Sequence, residues 1–83
     1  MDQVKLNGEL TIATAEELVT TLLQALRSQQ KLIIDLTAVE RIDTSAAQVL
    51  LSAALLARRN ATSVVFNCSA AVNERLQRIG IQL

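Results

Sequence analysis

The feature that most constrains the fold is a short branched apolar run followed, after a polar stretch, by a long apolar one. Residues 31–36 are rich in Leu and Ile, which is typical of a central strand covered on both faces. Residues 46–57 form an apolar stretch of about twelve residues, well short of the roughly 20 that cross a bilayer. We therefore predict a strand and then a buried helix, which is one unit of an α/β domain.

Turn signals and further apolar runs complete the predicted sheet. Asn7-Gly8 lies between the alternating residues 4–6 and 9–12, a pattern that predicts two short antiparallel strands joined by a tight turn. Residues 63–67 predict another buried strand. Four to five strands alternating with helices favour an α/β fold with a mixed sheet.

Three predicted helices follow these strands. Thr14 and Glu17 match a capping box, so the first helix is expected to start there and run to about Ser28. Asp43, Thr44 and Ser45 precede the apolar helix, and any of them could cap it, with Thr44 favoured. The remaining predicted ends are Arg59 with a left-handed stop at Asn60 for the second helix, and Ser69 or Ala70 to Gly80 for the third, with Ile81 and Leu83 closing over the core.

Composition excludes several functions. The 83 residues include no His, Trp or Tyr, so a His-based general base, a His/Cys zinc site and an aromatic base-stacking platform are not available. A net charge of zero gives no field that attracts nucleic acid or acidic lipid. Asp35 and Asp43 have no further ligands near them in sequence to hold a metal. We expect a binding protein without cofactor, metal or catalytic residues, and no insertion into a membrane.

Cysteine usage and the first residues suggest a compartment. Cys68 is the single cysteine, so the chain forms no internal disulfide, and a reducing cytoplasm fits best. Residues 1–5 lack the charged and apolar regions of a secretory signal. We expect one domain over residues 1–83, located in the cytoplasm.

Thr44 is the most informative position for function. A hydroxyl at the start of a buried helix faces unpaired backbone amides and the positive end of the helix dipole, where an added phosphate is accommodated. The alternative interpretation is that Thr44 only caps the helix, as Ser, Thr and Asp commonly do. Spacing alone favours the second interpretation.

Residues 32–51 resemble the signature of the STAS domain family, which includes bacterial anti-sigma factor antagonists, and the resemblance extends along the whole chain. In that family a strand ending in Asp leads through a loop to an acidic residue followed by Ser or Thr at a helix start. Asp35 matches the strand-end Asp, which supports the loop, while Asp43 and Thr44 match the helix start. The chain departs from the pattern at Ala46 and Ala47, where the family commonly has Gly and then Leu.

The resemblance implies a mixed sheet with helices against one face and a non-catalytic signalling role. A partner with an ATP-binding kinase fold, an anti-sigma factor or serine kinase, would phosphorylate Thr44, with Ser45 as a second candidate, and phosphorylation would control docking. The surface for this partner would include Glu40, Arg41 and the start of the helix at Ala46, although Glu40 and Arg41 are equally consistent with solvated loop residues. A Cβ at residue 46 would keep a partner slightly further away than Gly does.

Two further roles of STAS relatives stay open. Some are found beside chemotaxis kinases and would act as accessory adaptors. Others are structural subunits that contact the ATPase of a lipid-transporting ABC complex through the same Thr position, without a phosphorylation cycle. Ala46 is compatible with both.

Overall fold

The computed structural model describes residues 2–28 and 31–83. Three strands alternate with three α-helices along this part of the chain, and a short 3-10 turn precedes the first helix. In chain order the elements are β1 (Asp2–Leu10), the 3-10 turn (Ile12–Thr14), α1 (Ala15–Ser28), β2 (Lys31–Ile42), α2 (Thr44–Arg59), β3 (Ser63–Cys68) and α3 (Ala70–Ile79). No helix among the described residues is both long and apolar enough to span a membrane.

The sheet over the described residues has three parallel strands in the order β1-β2-β3. The α/β class and the three helices are as predicted, but the four to five strands of a mixed sheet are not found. The predicted hairpin is wrong, because Asn7 and Gly8 lie inside β1 and pair with Ala38 and Val39 of β2. Gly8 has φ +70°, a conformation that favours glycine, and it stands where the pairing with β2 is irregular.

β2 contains two bulges, which explain why its second half does not look like a strand in the sequence. Lys5 pairs with Asp35 and Asn7 with Ala38, so β2 holds one extra residue there. A second extra residue lies between the partners of Gly8 and Glu9. Burial in β2 accordingly changes from every second residue to every third. Residues 37–42, where the family resemblance implies a loop after Asp35, are strand.

The helices pack on one face of the sheet and enclose an aliphatic core. On α2 the buried positions are mostly alanine, and these small side chains let the helix lie close to the strands. The largest fully buried side chains come from β2 and from all three helices: Leu22, Leu32, Ile34, Leu36, Leu50 and Val72. The opposite face of the sheet carries mainly polar side chains, among them Gln3, Lys5, Asp35 and Asn67. β3 is an edge strand whose residues are half-buried or exposed, and not the buried strand that was predicted.

Most helix ends lie near their predicted positions, with three corrections. Thr11 caps the 3-10 turn and pairs reciprocally with Thr14, so the predicted box of Thr14 and Glu17 is wrong. Asp43 caps α2 in place of Thr44. The left-handed residue after α2 is Ala61, with φ 55°, and Asn60 is not left-handed.

The third helix and the chain after it largely follow the prediction. Ser69 accepts a hydrogen bond from the Val72 amide at 3.2 Å and caps α3. Gly80 ends the helix in the left-handed conformation at φ 87°. Ile81 is buried, whereas Leu83 remains 37% exposed and covers the core less than expected.

Candidate protein-interaction site

The carboxyl ends of the three parallel strands meet at one edge of the sheet, and a helical segment begins at each of them. β1 leads to the 3-10 turn capped by Thr11, β2 to α2 capped by Asp43, and β3 to α3 capped by Ser69. Free backbone amides and the positive ends of helix dipoles therefore gather here. In open α/β sheets this is also the edge at which ligands commonly bind. We call it the Asp43 edge.

Asp43 connects two of these helix starts through one carboxylate. Its Oδ1 accepts a hydrogen bond from the Ala46 amide at 2.9 Å, and its Oδ2 accepts one from the Ile12 amide at 2.8 Å. The Asp43 amide donates to the Leu10 carbonyl at 3.0 Å, which ties β1 to the same point. The backbone amide of Ala46 is the main reason that the pKa of Asp43 lies below its ordinary value, and the Ile12 and Ser45 amides and the charge of Arg75 act in the same direction.

Thr44, the first residue of α2, is exposed beside this carboxylate. Asp43 occupies the capping position, and no hydrogen bond involves the Thr44 hydroxyl within residues 2–28 and 31–83. Ser45 is half-buried, so it presents less of its surface. The two neighbouring residues thus have different roles: the carboxylate stabilises the helix start and the hydroxyl faces solvent.

Ala46 is fully buried at 0% exposure, as is Ala47. Its methyl group lies in the core under α2, so its side chain offers no contact surface to a partner. The alanine at this position therefore contributes to packing below the helix, while Thr44 is exposed on the outer side. The expectation that a Cβ at residue 46 holds a partner away does not fit this placement.

Asp35 does not belong to the Asp43 edge. It lies within β2 on the open face of the sheet, and the strand continues for seven more residues to Ile42. Its carboxylate accepts hydrogen bonds from the Thr37 hydroxyl at 2.6 Å, the Thr37 amide at 2.9 Å and Gln3 Nε2 at 3.0 Å. The bonds from Thr37 are the main cause of its lowered pKa. Asp35 therefore supports the first bulge of β2, and no loop follows it.

Glu40 and Arg41 are exposed near the end of β2, at the second bulge. Both line a cleft of about 400 Å³ that also includes Asp43 and, from α3, Arg75. Arg41 lies 3.9 Å from Glu9 across the strands, a loose ion pair between exposed groups that adds little stability. The cleft therefore places both predicted contact residues beside Asp43.

Sequence reasoning missed two residues of this site. Ile12 was predicted to end a strand, yet it starts the 3-10 turn and is 74% exposed, although its amide is bound to Asp43. Arg75 carries no signal in the sequence, yet its Nε donates to the Ile42 carbonyl at 3.4 Å and its side chain lines the cleft. The spacing of arginines on α3 gave no signal for this contact, because it depends on where β2 ends.

The groups at the Asp43 edge are hydroxyl, carboxylate, guanidinium and aliphatic side chains. The described residues contain no group of three or more acidic or cysteine side chains that could hold a metal ion. The single thiol, Cys68, is half-buried, and burial raises its pKa, which disfavours the reactive thiolate. What the edge offers is an exposed hydroxyl, an exposed isoleucine and charged groups of both signs around a shallow cleft.

Comparisons with known proteins agree with this architecture. The STAS domain family model matches residues 3–83. Among solved structures, the anti-sigma factor antagonist SpoIIAA in its unphosphorylated form is similar with a TM-score of 0.71 and 18% identity, over 90% of this chain and 71% of that chain. The structure of Mglu is similar with a TM-score of 0.71 and 16% identity, over 82% of this chain.

The extent of these matches defines what they show. The chain spans only 17% of the length of Mglu, and at such low identities both structures are evidence for the fold alone. No curated protein matches the sequence. The family model, however, covers nearly all of the 83 residues. The chain belongs to the STAS domain family.

Proposed function

We propose that this chain is a non-catalytic signalling module of the anti-sigma factor antagonist type, which binds a protein partner through the Asp43 edge. Phosphorylation of Thr44 by a kinase-type ATPase controls the docking. The observation that carries the proposal is the separation of roles at the start of α2, where Asp43 caps the helix and Thr44 is left exposed. The protein acts in the cytoplasm, where such partners hydrolyse ATP.

A phosphate on Thr44 would change the surface more than the fold. It adds between about 1.5 and 2 negative charges at pH 7. The amides and dipole at the start of α2 favour that charge, while the neighbouring Asp43 carboxylate opposes it. Because Asp43 already provides the cap, the helix start does not depend on the hydroxyl. The added charge would therefore act mainly on the partner, by repelling an acidic surface or preventing a close fit.

The cleft beside Asp43 supports docking at this edge. Glu40 and Arg41 project from the end of β2, and Ile12 adds exposed apolar surface next to the Asp43 carboxylate. Interfaces combine an apolar centre with a polar rim in this way. Ser45 is a second phosphorylation candidate, although its partial burial favours Thr44.

The experiment compares partner capture by the wild type and by Thr44→Glu, followed by affinity measurement with the purified partner. Ser63→Glu is the matched control, because Ser63 is an exposed hydroxyl residue at the start of β3, at the other end of the strands from the Asp43 edge. We expect a kinase-fold ATPase that binds the wild type and the Ser63→Glu variant equally and binds Thr44→Glu at least about tenfold more weakly. Mass spectrometry of the chain after incubation with that partner and ATP should locate phosphate on Thr44.

The second candidate function is a constitutive adaptor, either a subunit on the ATPase of an ABC lipid transporter or an accessory of a chemotaxis kinase. The exposed Ile12 at the edge favours it, since an apolar contact works without a phosphate switch. Equal binding of the ATPase by the wild type and by Thr44→Glu would support this function and contradict the phosphorylation switch.

A further inference from the structure

An apolar groove runs along the outer surface between α1 and α2, away from the cleft at the Asp43 edge. It has a volume of about 240 Å³, and its lining is mostly apolar. Val19 and Leu23 of α1 line it and are 38% and 36% exposed. Leu55 does not line the groove, but its spacing of three residues from Ser52 and seven from Gln48 puts it on the same face of α2 as these two lining residues, and it is 50% exposed. Half of the six large hydrophobic side chains that are exposed in the described chain therefore lie on this surface.

Charged residues of opposite sign lie at the two ends of this surface. Glu16 is in the first turn of α1, Arg27 is in its last turn, and Arg59 is in the last turn of α2. All three are exposed, and the two ion pairs among the described residues involve other side chains. We define the α1–α2 face by these residues and the exposed ones between them: Glu16, Val19, Leu23 and Arg27 of α1, with Gln48, Ser52, Leu55 and Arg59 of α2.

The two helices run in the same direction, so the charges are separated along the face. Each helix follows a strand of a parallel sheet, and the bond from the Ile12 amide to Asp43 joins their starting ends. Glu16 therefore lies at the end of the face where both helices begin, and Arg27 and Arg59 lie at the end of the face where both helices finish. The face is acidic at one end, apolar in the middle and basic at the other end.

Such a face is complementary to a copy of itself. If a second chain is placed face to face with the first, related by a two-fold axis that lies in the contact plane and crosses the helices at right angles, Glu16 of each chain lies at the Arg27 and Arg59 end of the other. The apolar middle sections then cover one another. Symmetric dimers use this kind of self-complementary patch. We propose that the α1–α2 face is the contact surface of a two-fold antiparallel homodimer.

The face is small for the interface of a stable dimer. Helices of 14 and 16 residues are about 21 and 24 Å long at ~1.5 Å per residue. With a width of about 10 Å each, they cover about 450 Å². Stable complexes bury about 800 Å² per partner. The dimer is therefore weak and forms at high local concentration.

Sedimentation equilibrium of the purified chain from 10 µM to about 1 mM tests the proposal. The wild type should change from monomer to dimer in this range, and the association should weaken as salt is raised. Glu16→Arg alone, and Arg27→Glu with Arg59→Glu, should each abolish the dimer. The triple variant carrying all three changes should recover it, because every acidic group again faces a basic one.

Mixing the two dimer-deficient variants gives a second readout. The Glu16→Arg chain then has only basic residues at both ends of the face, and the other variant has only acidic ones, so the mixture should form a heterodimer. This recovery shows that both variants are folded. The control is a chain carrying both Glu74→Arg and Arg78→Glu on α3, which exchanges an exposed ion pair on another helix and should associate like the wild type.

Two outcomes would overturn the proposal. The wild type could stay monomeric at 1 mM, as expected if the face binds a helix of a different protein. Alternatively, a dimer could form whose strength is unaffected by the charge exchanges. Both measurements use the pure chain without a partner, so they are independent of whether Thr44 controls docking at the Asp43 edge.

Discussion

The two halves of β2 differ in a way that separates the fold from the candidate site. Residues 31–36 alternate between buried and half-buried or exposed positions and pair regularly with both neighbouring strands. Residues 37–42 contain two bulges, bury every third residue and pair with β1 alone. The regular half builds the core, and the irregular half carries Glu40 and Arg41 and ends next to Asp43. The bulges thus position the site at the cost of strand regularity.

The comparison first predicts that the regular half dominates stability. Ile34 is completely buried, so Ile34→Ala should reduce the free energy of unfolding by about 2–5 kcal/mol through lost burial and the cavity left behind. Chemical denaturation measures this loss. Glu40→Ala in the irregular half, where the side chain is exposed, should stay within about 0.5 kcal/mol of the wild type. Equal losses in the two variants would contradict the division.

The second prediction concerns the cap at the end of the irregular half. Asp43→Ala removes the acceptors for both the Ala46 and Ile12 amides, whereas Asp43→Asn keeps one carbonyl oxygen, which can still cap α2. Stability should fall in the order wild type, Asp43→Asn, Asp43→Ala. Thermal melts measure this order against Ser69→Ala, which removes a single-bond cap worth about 1 kcal/mol.

The Asp43→Ala variant should lose more than the Ser69→Ala control, because two amides lose their acceptor instead of one. If Asp43→Asn melts at the same temperature as the wild type, the bond to Ile12 contributes nothing, and the connection between the two helix starts is disproved.

These residues show how far the sequence predicts the molecule. Periodicity and capping signals depend on neighbouring residues only. They predict the regular half of β2, α2 with its end at Arg59, and α3 with its Ser69 cap. The Asn-Gly turn signal fails, because β1 pairs with a strand more than twenty residues away along the chain. Gly8 has a positive φ at an irregular point in that pairing and not in a turn.

The site was only partly predictable for the same reason. Asp43, Thr44 and Ser45 are all suitable caps, and the sequence does not say which one stands at the helix start. That choice depends on the length of β2, which the two bulges extend to Ile42. Ile12 and Arg75 reach the site through contacts 31 and 33 residues apart, which no local pattern encodes.

The third prediction is a loss of stability in acid. The pKa values of Asp43 and Asp35 are lowered in the folded chain, so their contributions are present above about pH 4, where the unfolded chain is also ionised, and disappear as the pH falls through the lower folded pKa. Asp43→Asn and Asp35→Asn should each reduce the dependence of unfolding free energy on pH below 4. Urea unfolding at pH 2.5 to 6 measures it. An unchanged dependence in both variants would contradict the assigned hydrogen bonds.

The smallest expected effect is that of Thr44→Ala. Since Asp43 provides the cap and the Thr44 hydroxyl is exposed, the free energy of unfolding should change by less than about 0.5 kcal/mol. A loss of 0.5–2 kcal/mol, the usual effect of removing a cap, would show that the hydroxyl does stabilise the helix start. Denaturation with the Ser69→Ala variant as the reference measures the difference.

The most direct test of the central claim is amide hydrogen exchange at Ile12 and Ala46, measured by NMR. The Asp43 carboxylate accepts from both amides, so Asp43→Ala should accelerate exchange at both positions together, while Thr44→Ala should leave both unchanged. Faster exchange at Ala46 in Thr44→Ala, or unchanged exchange at Ile12 in Asp43→Ala, would contradict the assignment of the structural role to Asp43 and leave no basis for a freely available Thr44.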